Sequence, residues 1–342
     1  MLLAFALACA PQIDLAEVPC PLATNLLVTT ADGATIALHH HPGKGPAVLL
    51  VHGVSSNARF WDLDADHSLA TWLVKNGFDP WLLDLRGHGS ARRDADGSPQ
   101  ISGWTVDDYG RYDVASAVDY VRAVTGEPQV GYIGHSMGGM VGAIYVANGG
   151  GPKLSSMVMV GSPATFNRKA PMMGLAQGAM AAGGASLFWV ETGLAGEAAA
   201  ALGPAAPRHL QRMLYNVSHL RPDTERSMLR HIASPLSREE MQQFGRMLKA
   251  ERFESADAST DWAAAYREKL FPTLAIAGGA DQVGRPEFVR PWAEGAGSAY
   301  VEIPDYGHLD LGLGEDAEID VFPTIGEWLR AHPPSRPTPG SG

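Results

Sequence analysis

Cysteine is nearly absent from this chain of 342 residues: Cys9 and Cys20 are the only two, and both precede the first segment that reads as a core strand. Without a C-x-x-C pair there is no cysteine-rich zinc site or redox motif, and a catalytic thiol has no place in the core. Positive charge is thin as well. Asp and Glu outnumber Lys and Arg by 37 to 26 with no basic block, which argues against a nucleic-acid partner. No internal repeat is visible, and the first ten residues, "MLLAFALACA", are too few to span a bilayer. That short run resembles the end of a secretory leader, with Ala8-Cys9-Ala10 as a small-residue cleavage site. It also resembles a weak bacterial lipobox in which Cys9 becomes the lipidated first residue. No Lys or Arg precedes it, and Ala6 rather than leucine stands three before Cys9. The expectation is that residues 1–20 direct export or, through a lipidated Cys9, association with a membrane. An uncleaved cytoplasmic N-terminus is the alternative, and only a retained segment allows a Cys9–Cys20 disulfide.

What is present is a rhythm of strands and helices. "NLLVTTADGATIALHHH" (25–41) alternates around an Asp32-Gly33 turn, the pattern of a hairpin. His39, His40 and His41 cannot converge on one metal ion, because successive strand side chains point to opposite faces; a solvated strand end before Pro42-Gly43 is expected. "AVLLVHG" (47–53) and "DPWLLDLRGHG" (79–89) are apolar runs of the kind buried on both faces of a parallel sheet. Between them Leu69, Trp72, Leu73 and Val74 predict a short helix stopped by Asn76-Gly77. Thr105 to Asp108 form a capping box, opening a helix with Val114, Val118 and Val121 on one face. Further strands are expected at "QVGYIGHS", "LSSMVMVGS", "FPTLAIAGG" and "AYVEIP", with a closing helix, "DAEIDVFPTIGEWLRAH", bent or interrupted at Pro323.

This alternation predicts an α/β fold with a doubly wound, mostly parallel sheet. The core is expected over 21–162 and 263–332. Residues 163–262 lack a convincing buried strand and are too long for a loop, so a helical lid is expected there. Residues 333–342 read as a disordered tail by composition.

The chemistry is carried by Gly134-His135-Ser136-Met137-Gly138, a G-x-S-x-G motif between a strand and a helix. A serine hydroxyl needs a neighbouring base to take its proton and an acid to orient that base. On such an elbow the three follow in the chain order Ser, Asp or Glu, His. Asp281 comes just past the strand at 273–277 and His308 just past the strand at 299–303, both at carboxyl ends where ligands bind in open sheets. Asp305 and Asp310 are rivals to Asp281, but they share a loop with His308. The catalytic set is therefore read as Ser136, Asp281 and His308. Developing negative charge on a carbonyl oxygen needs fixed donors. The N–H groups of Met137 and Val54 are assigned to that task. His52 and Gly53 shape the loop before Val54, while Gly134, His135 and Gly138 support the elbow. No metal or organic cofactor is expected.

These residues resemble the α/β-hydrolase superfamily, and more narrowly the gastric and lysosomal acid lipases with their bacterial relatives. The matching blocks are "VHGVSSNARFWDLDADHSLATWLVKNGFDPWLLDLRGHGSARR" with "YDVASAVDYVRAVTGEPQVGYIGHSMGG", and "AIAGGADQVGRPEFV" with "IPDYGHLDLGLGEDAEIDVF". The resemblance implies an α/β-hydrolase fold with a lid, and hydrolysis of small-molecule or lipid esters without a cofactor. It also implies the same triad and the same two oxyanion donors. The chain departs from that family at Met137, where glutamine is usual, and at Val54-Ser55, where a leucine pair is usual. Acyl transfer, polyester depolymerisation and peptide cleavage use the same triad and stay open, as does a catalytically silent binding protein. "MMGLAQGAMAAGGASLFWV" would suit an apolar acyl pocket or ordinary helix packing.

Overall fold

The computed structural model describes residues 25–167, 189–190, 211–212, 214–295 and 297–335. Cys9, Cys20, most of the stretch rich in Gly and Ala from 174 to 206, and the tail beyond Ser335 lie outside the described residues. Ten strands are described: β1 Asn25–Thr29, β2 Thr35–His40, β3 Ala47–Val51, β4 Asp79–Asp84, β5 Val130–His135, β6 Leu154–Val160, β7 Trp189–Val190, β8 Leu236–Ser237, β9 Thr273–Gly278 and β10 Ala299–Ile303. Eight of them form one sheet in the order β1-β2-β4-β3-β5-β6-β9-β10. The β1–β2 hairpin is antiparallel, and β2 joins β4 antiparallel; from β4 to β10 every neighbouring pair is parallel.

The buried runs face two cores. In β3, Val48 and Leu50 pack with the helices Leu69–Lys75 and Phe322–Ala331, whereas Leu49 and Val51 face Val114, Val118, Val121 and Ile144 on the other side. That two-sided burial is why the strand sequence is continuously apolar rather than alternating. The strand order reverses direction between β3 and β5, so the loops after β3, β5, β6, β9 and β10 gather at one edge, the carboxyl ends.

Several local expectations change in detail. The helix opened by the Thr105 capping box passes through π-helical Tyr109–Val114 before the α-helix Ala115–Thr125. The closing helix breaks at Val321, with Pro323 in the first turn of Phe322–Ala331, where a missing N–H costs no intrahelical bond. The histidines at 39–41 are not a solvated strand end. His39 is fully buried, with Nε2 2.8 Å from Asp84. His40 bonds Asp79 at 2.8 Å and stacks on Trp81, and His41 lies 3.2 Å from Asp62. Pairing β2 beside β4 buries His39 completely and leaves His40 and His41 half-buried, each next to its own carboxylate.

Between β6 and β9 the described residues hold the helices Pro222–His231, Arg238–Ala250 and Trp262–Arg267. They also hold an antiparallel pair, β7 with β8, whose Leu236 and Ser237 are buried. Among the described residues no helix is long and apolar enough to cross a membrane.

Candidate active site

β5 ends at His135 and the helix Met137–Tyr145 begins one residue later, leaving Ser136 alone at the corner. Its backbone, φ 51° and ψ −118°, is strained for any residue with a Cβ. The corner is held because the Ser136 N–H donates to the Val160 carbonyl at 2.9 Å. It closes only over glycines. A Cβ on Gly134 would stand 2.4 Å from the Gly139 nitrogen, and one on Gly138 would stand 2.3 Å from the Val51 carbonyl oxygen.

The acid and the histidine arrive from the next two strands. Past β9, Asp281 accepts the N–H groups of Val283 at 2.7 Å and Gly284 at 2.9 Å on Oδ1. Past β10, the His308 Nδ1–H donates to Asp281 Oδ2 at 2.7 Å. That bond fixes the proton on Nδ1 and leaves Nε2 as an acceptor. Asp310 has other work: it accepts the N–H groups of Asn216 and Gly307, and His219 Nδ1 at 2.9 Å. It shapes the loop rather than touching the imidazole.

Gly161 joins the three groups. It follows Val160, the partner of the Ser136 N–H, and has φ 58°. A Cβ there would lie 3.2 Å from His308 Nδ1 and 3.4 Å from Asp281 Oδ2. Sequence reasoning missed this residue, although a glycine directly after the apolar run "MVMV" was a signal that something must approach the backbone there.

The loop after β3 lies against the serine. A Cβ on Gly53 would come 3.1 Å from Ser136 Cβ, so the backbone carrying Val54 reaches the nucleophile's side of the elbow. Met137 is buried at the first position of its helix, where N–H groups lack intrahelical partners. His52 is fully buried, donates from Nδ1 to the Gly53 carbonyl at 2.8 Å and accepts the Leu85 N–H on Nε2. Burial pushes its pKa down against the pull of Asp84. It is a neutral loop brace with both nitrogens engaged.

Asp84 supports the same loop from below. Its carboxylate accepts the N–H groups of Ala58 at 2.7 Å and Ser90 at 2.8 Å, with His39 at 2.8 Å. Burial alone would raise its pKa, but the hydrogen bond and charge of His39, with the Ser90 N–H, bring it to about 2.

His135 does not point where a base for Ser136 would. Its ring stacks on Phe60 at 4.1 Å, and Nε2–H donates to the carbonyl oxygen of His308 at 3.0 Å. Burial, then the neighbouring His308, holds its pKa well below the imidazole range, so the ring stays neutral.

A cavity of about 470 Å³, lined by Val146, Leu154, Phe271 and Pro272, opens at the amino ends of β6 and β9. It is at the opposite end of the sheet from Ser136 and contains none of these groups.

A family model described as "alpha/beta hydrolase fold" matches residues 46–315. Human gastric triacylglycerol lipase is 31% identical over 158 residues, which cover 42% of this chain and 38% of that protein. The chain thus matches about two fifths of the length of that relative. Among solved structures, a thermophilic esterase from Thermogutta terrifontis superposes with a TM-score of 0.57 at 20% identity, covering 91% of this chain and all of that one. A monoacylglycerol lipase from Paleococcus ferrophilus superposes with a TM-score of 0.57 at 18% identity, covering 86% of this chain and 99% of that one. These structural likenesses speak to the fold.

Proposed function

The chain belongs to the alpha/beta hydrolase fold family, and from that premise we propose that it is a serine hydrolase cleaving carboxylic esters. One observation carries the reading: a strained Ser136, bonded through its N–H to Val160, and an aspartate-bonded His308, set against Gly161, both lie at the end of β6. In the proposed reaction His308 Nε2 takes the Ser136 hydroxyl proton as Oγ attacks the ester carbonyl. Asp281 holds the imidazole in the required tautomer and stabilises its cation. The backbone N–H groups of Val54 and Met137 receive the oxyanion. His308 returns the proton to the departing alkoxide, leaving an acyl-enzyme. It then activates water to release the acid and regenerate Ser136.

The lipase names among the relatives support a lipid ester as substrate. Acyl transfer, polyester cleavage and peptide cleavage would use the same groups, and nothing in the site favours them. The test is an activity profile on p-nitrophenyl esters of short and long acyl chains, beside labelling with a fluorophosphonate. Wild type should turn over esters and be labelled. Ser136→Ala should lose label entirely and at least about 10⁴-fold in kcat. Full activity in Ser136→Ala would remove the nucleophile assignment, and an inert, unlabelled wild type would remove the reading.

A further inference from the structure

Resting on the serine-hydrolase reading, we propose that residues 214–234 are a strut fixing the oxyanion loop relative to the catalytic histidine. In that strut, Asn57 and Ser234 act as positioning residues of the reaction. The segment lies between β6 and β9 and is tied at one end to the His308 loop and at the other to the loop after β3.

At the first end, the N–H groups of His308 and Leu309 both donate to the Leu214 carbonyl, at 3.0 and 2.9 Å. Asn216 Nδ2 donates to the Asp305 carbonyl at 2.7 Å, and Asp310 accepts from the Asn216 N–H and His219. The helix Pro222–His231 then carries the chain across, with Met228 fully buried in the same apolar cluster as Phe60, Trp61, Leu311 and Leu313.

At the second end the bonds converge on two residues shortly after Gly53, Ser55 and Asn57. Ser55 Oγ donates to the Ser234 carbonyl at 2.9 Å, and the Ser234 N–H donates back to the Ser55 carbonyl at 3.0 Å. Asn57 Nδ2 reaches the carbonyls of His231 and Ile232 at 3.0 and 3.2 Å, and Ser234 Oγ at 3.2 Å. Ser234 Oγ also accepts the Gly89 N–H, linking in the loop after β4.

The need for such bracing is local. Ser55, next to Val54, has φ 54°, a conformation a serine adopts only when its surroundings impose it. The reciprocal Ser55–Ser234 pair and the Asn57 amide supply that constraint. Without them the loop would relax, and the Val54 N–H would turn from the position where charge develops. A donor aimed at the transition state matters far more to turnover than to substrate binding.

Asn57→Asp separates this role from folding. It keeps the side-chain oxygen that caps the turn by accepting the Arg59 N–H at 2.9 Å. It replaces the donor by a carboxylate facing carbonyl oxygens. Ser234→Ala is a milder cut from the strut's side. Active sites are first counted by fluorophosphonate titration, so that misfolded enzyme drops out of every rate. Asn57→Asp should lower kcat per titrated site by about 30- to 100-fold with KM within about threefold, and Ser234→Ala by about 3- to 10-fold. An alkyl trifluoromethyl ketone adds to Ser136 and places an oxyanion in the same position. Its inhibition constant should rise by the same factors, which a loss of folded enzyme cannot produce. If both variants keep kcat per site and ketone affinity within twofold of wild type, the strut is not a positioning device. If Asn57→Asp does not fold, the Ser234→Ala values alone decide. Wild type that titrates and turns over while both variants behave like it overturns the strut alone. Wild type that does neither overturns the serine-hydrolase reading with it.

Discussion

Two sets of hydrogen bonds tie the segment between β6 and β9 to the sheet core, and they end on different things. The first, through Leu214, Ser234 and Asn57, ends on the loops that carry His308 and Val54. The second, through Glu240, Gln243 and Trp262, ends on the start of the helix that opens at Thr105. There Asp107 accepts Gln243 Nε2 and Trp262 Nε1, each at 2.8 Å, and the Ala256 N–H at 3.0 Å. Gln243 Oε1 accepts the Val106 N–H, and Glu240 accepts the Tyr109 hydroxyl at 3.0 Å. Both sets are well connected, the second mostly buried and the first partly so. What separates them is destination: one terminates on the loops that the proposed mechanism requires to aim at a reacting carbonyl, the other on a helix that has only to stay put. Similar bonds should therefore report on turnover in one place and on stability in the other.

The sharpest way to break this comparison is Asp107→Ala. It strands an amide, an indole N–H and a backbone N–H in the interior, and a buried network deprived of its charged acceptor loses about 3–5 kcal/mol. Urea unfolding should show that loss as a lower midpoint, while kcat per titrated active site stays within twofold of wild type. A large fall in kcat per site with unchanged stability would mean that the second set also serves the chemistry.

Glu240 offers an effect that is smaller over any single pH unit and carries a pH signature. Burial raises its pKa from 4.5 to about 8, more than the Tyr109 hydroxyl and the Ser237 N–H can offset. Between those values the folded protein keeps a proton that the unfolded chain has released. The group's contribution is thus fully present below pH 4.5, declines by up to about 1.4 kcal/mol per pH unit as pH rises, and levels off above 8. Glu240→Gln stays neutral throughout. The wild-type urea midpoint, compared with that of the variant, should fall between pH 5 and pH 8, and the difference should flatten below and above that window. Parallel curves would show that Glu240 titrates normally. Activity near neutral pH should not distinguish the two proteins.

How far the sequence alone reached follows the same division. The sheet was legible because buried parallel strands are continuous apolar runs, and the elbow because Gly134 and Gly138 flank Ser136 at a fixed spacing between a strand and a helix. Asp281 and His308 were legible by position, each directly after a strand. The two tethers were not. Asn57 and Ser234 are 177 residues apart, and Asp107 and Trp262 are 155 apart. Single polar residues leave no periodic trace, and nothing in composition marks a serine in a loop as a tether. The histidines at 39–41 were misjudged for a related reason: their carboxylate partners come from a strand and loops placed beside them only by the sheet order. The described part of 163–262 likewise gained a short strand pair that four residues of sequence could not announce.

The last effect in this series concerns the histidine adjacent to the serine, and it sharpens the comparison from inside the site. His135 touches both parts of the machinery: it precedes Ser136 and its Nε2–H holds the carbonyl of His308. If it positions the His308 loop, His135→Phe should keep the stack on Phe60 and lose only that hydrogen bond. Turnover should then fall about tenfold, the effect of a modest displacement of the base. Because His135 is held neutral, removing it should leave the shape of the kcat/KM profile against pH unchanged. A base adjacent in sequence would behave otherwise. If His135 itself took the Ser136 proton, His135→Phe would be as inactive as Ser136→Ala, and His308→Ala would retain most of the rate. Steady-state kinetics of these three variants separates the outcomes by several powers of ten. The geometry favours the tenfold result, since the His135 ring is already committed at Nε2 to the backbone of the residue that bonds Asp281.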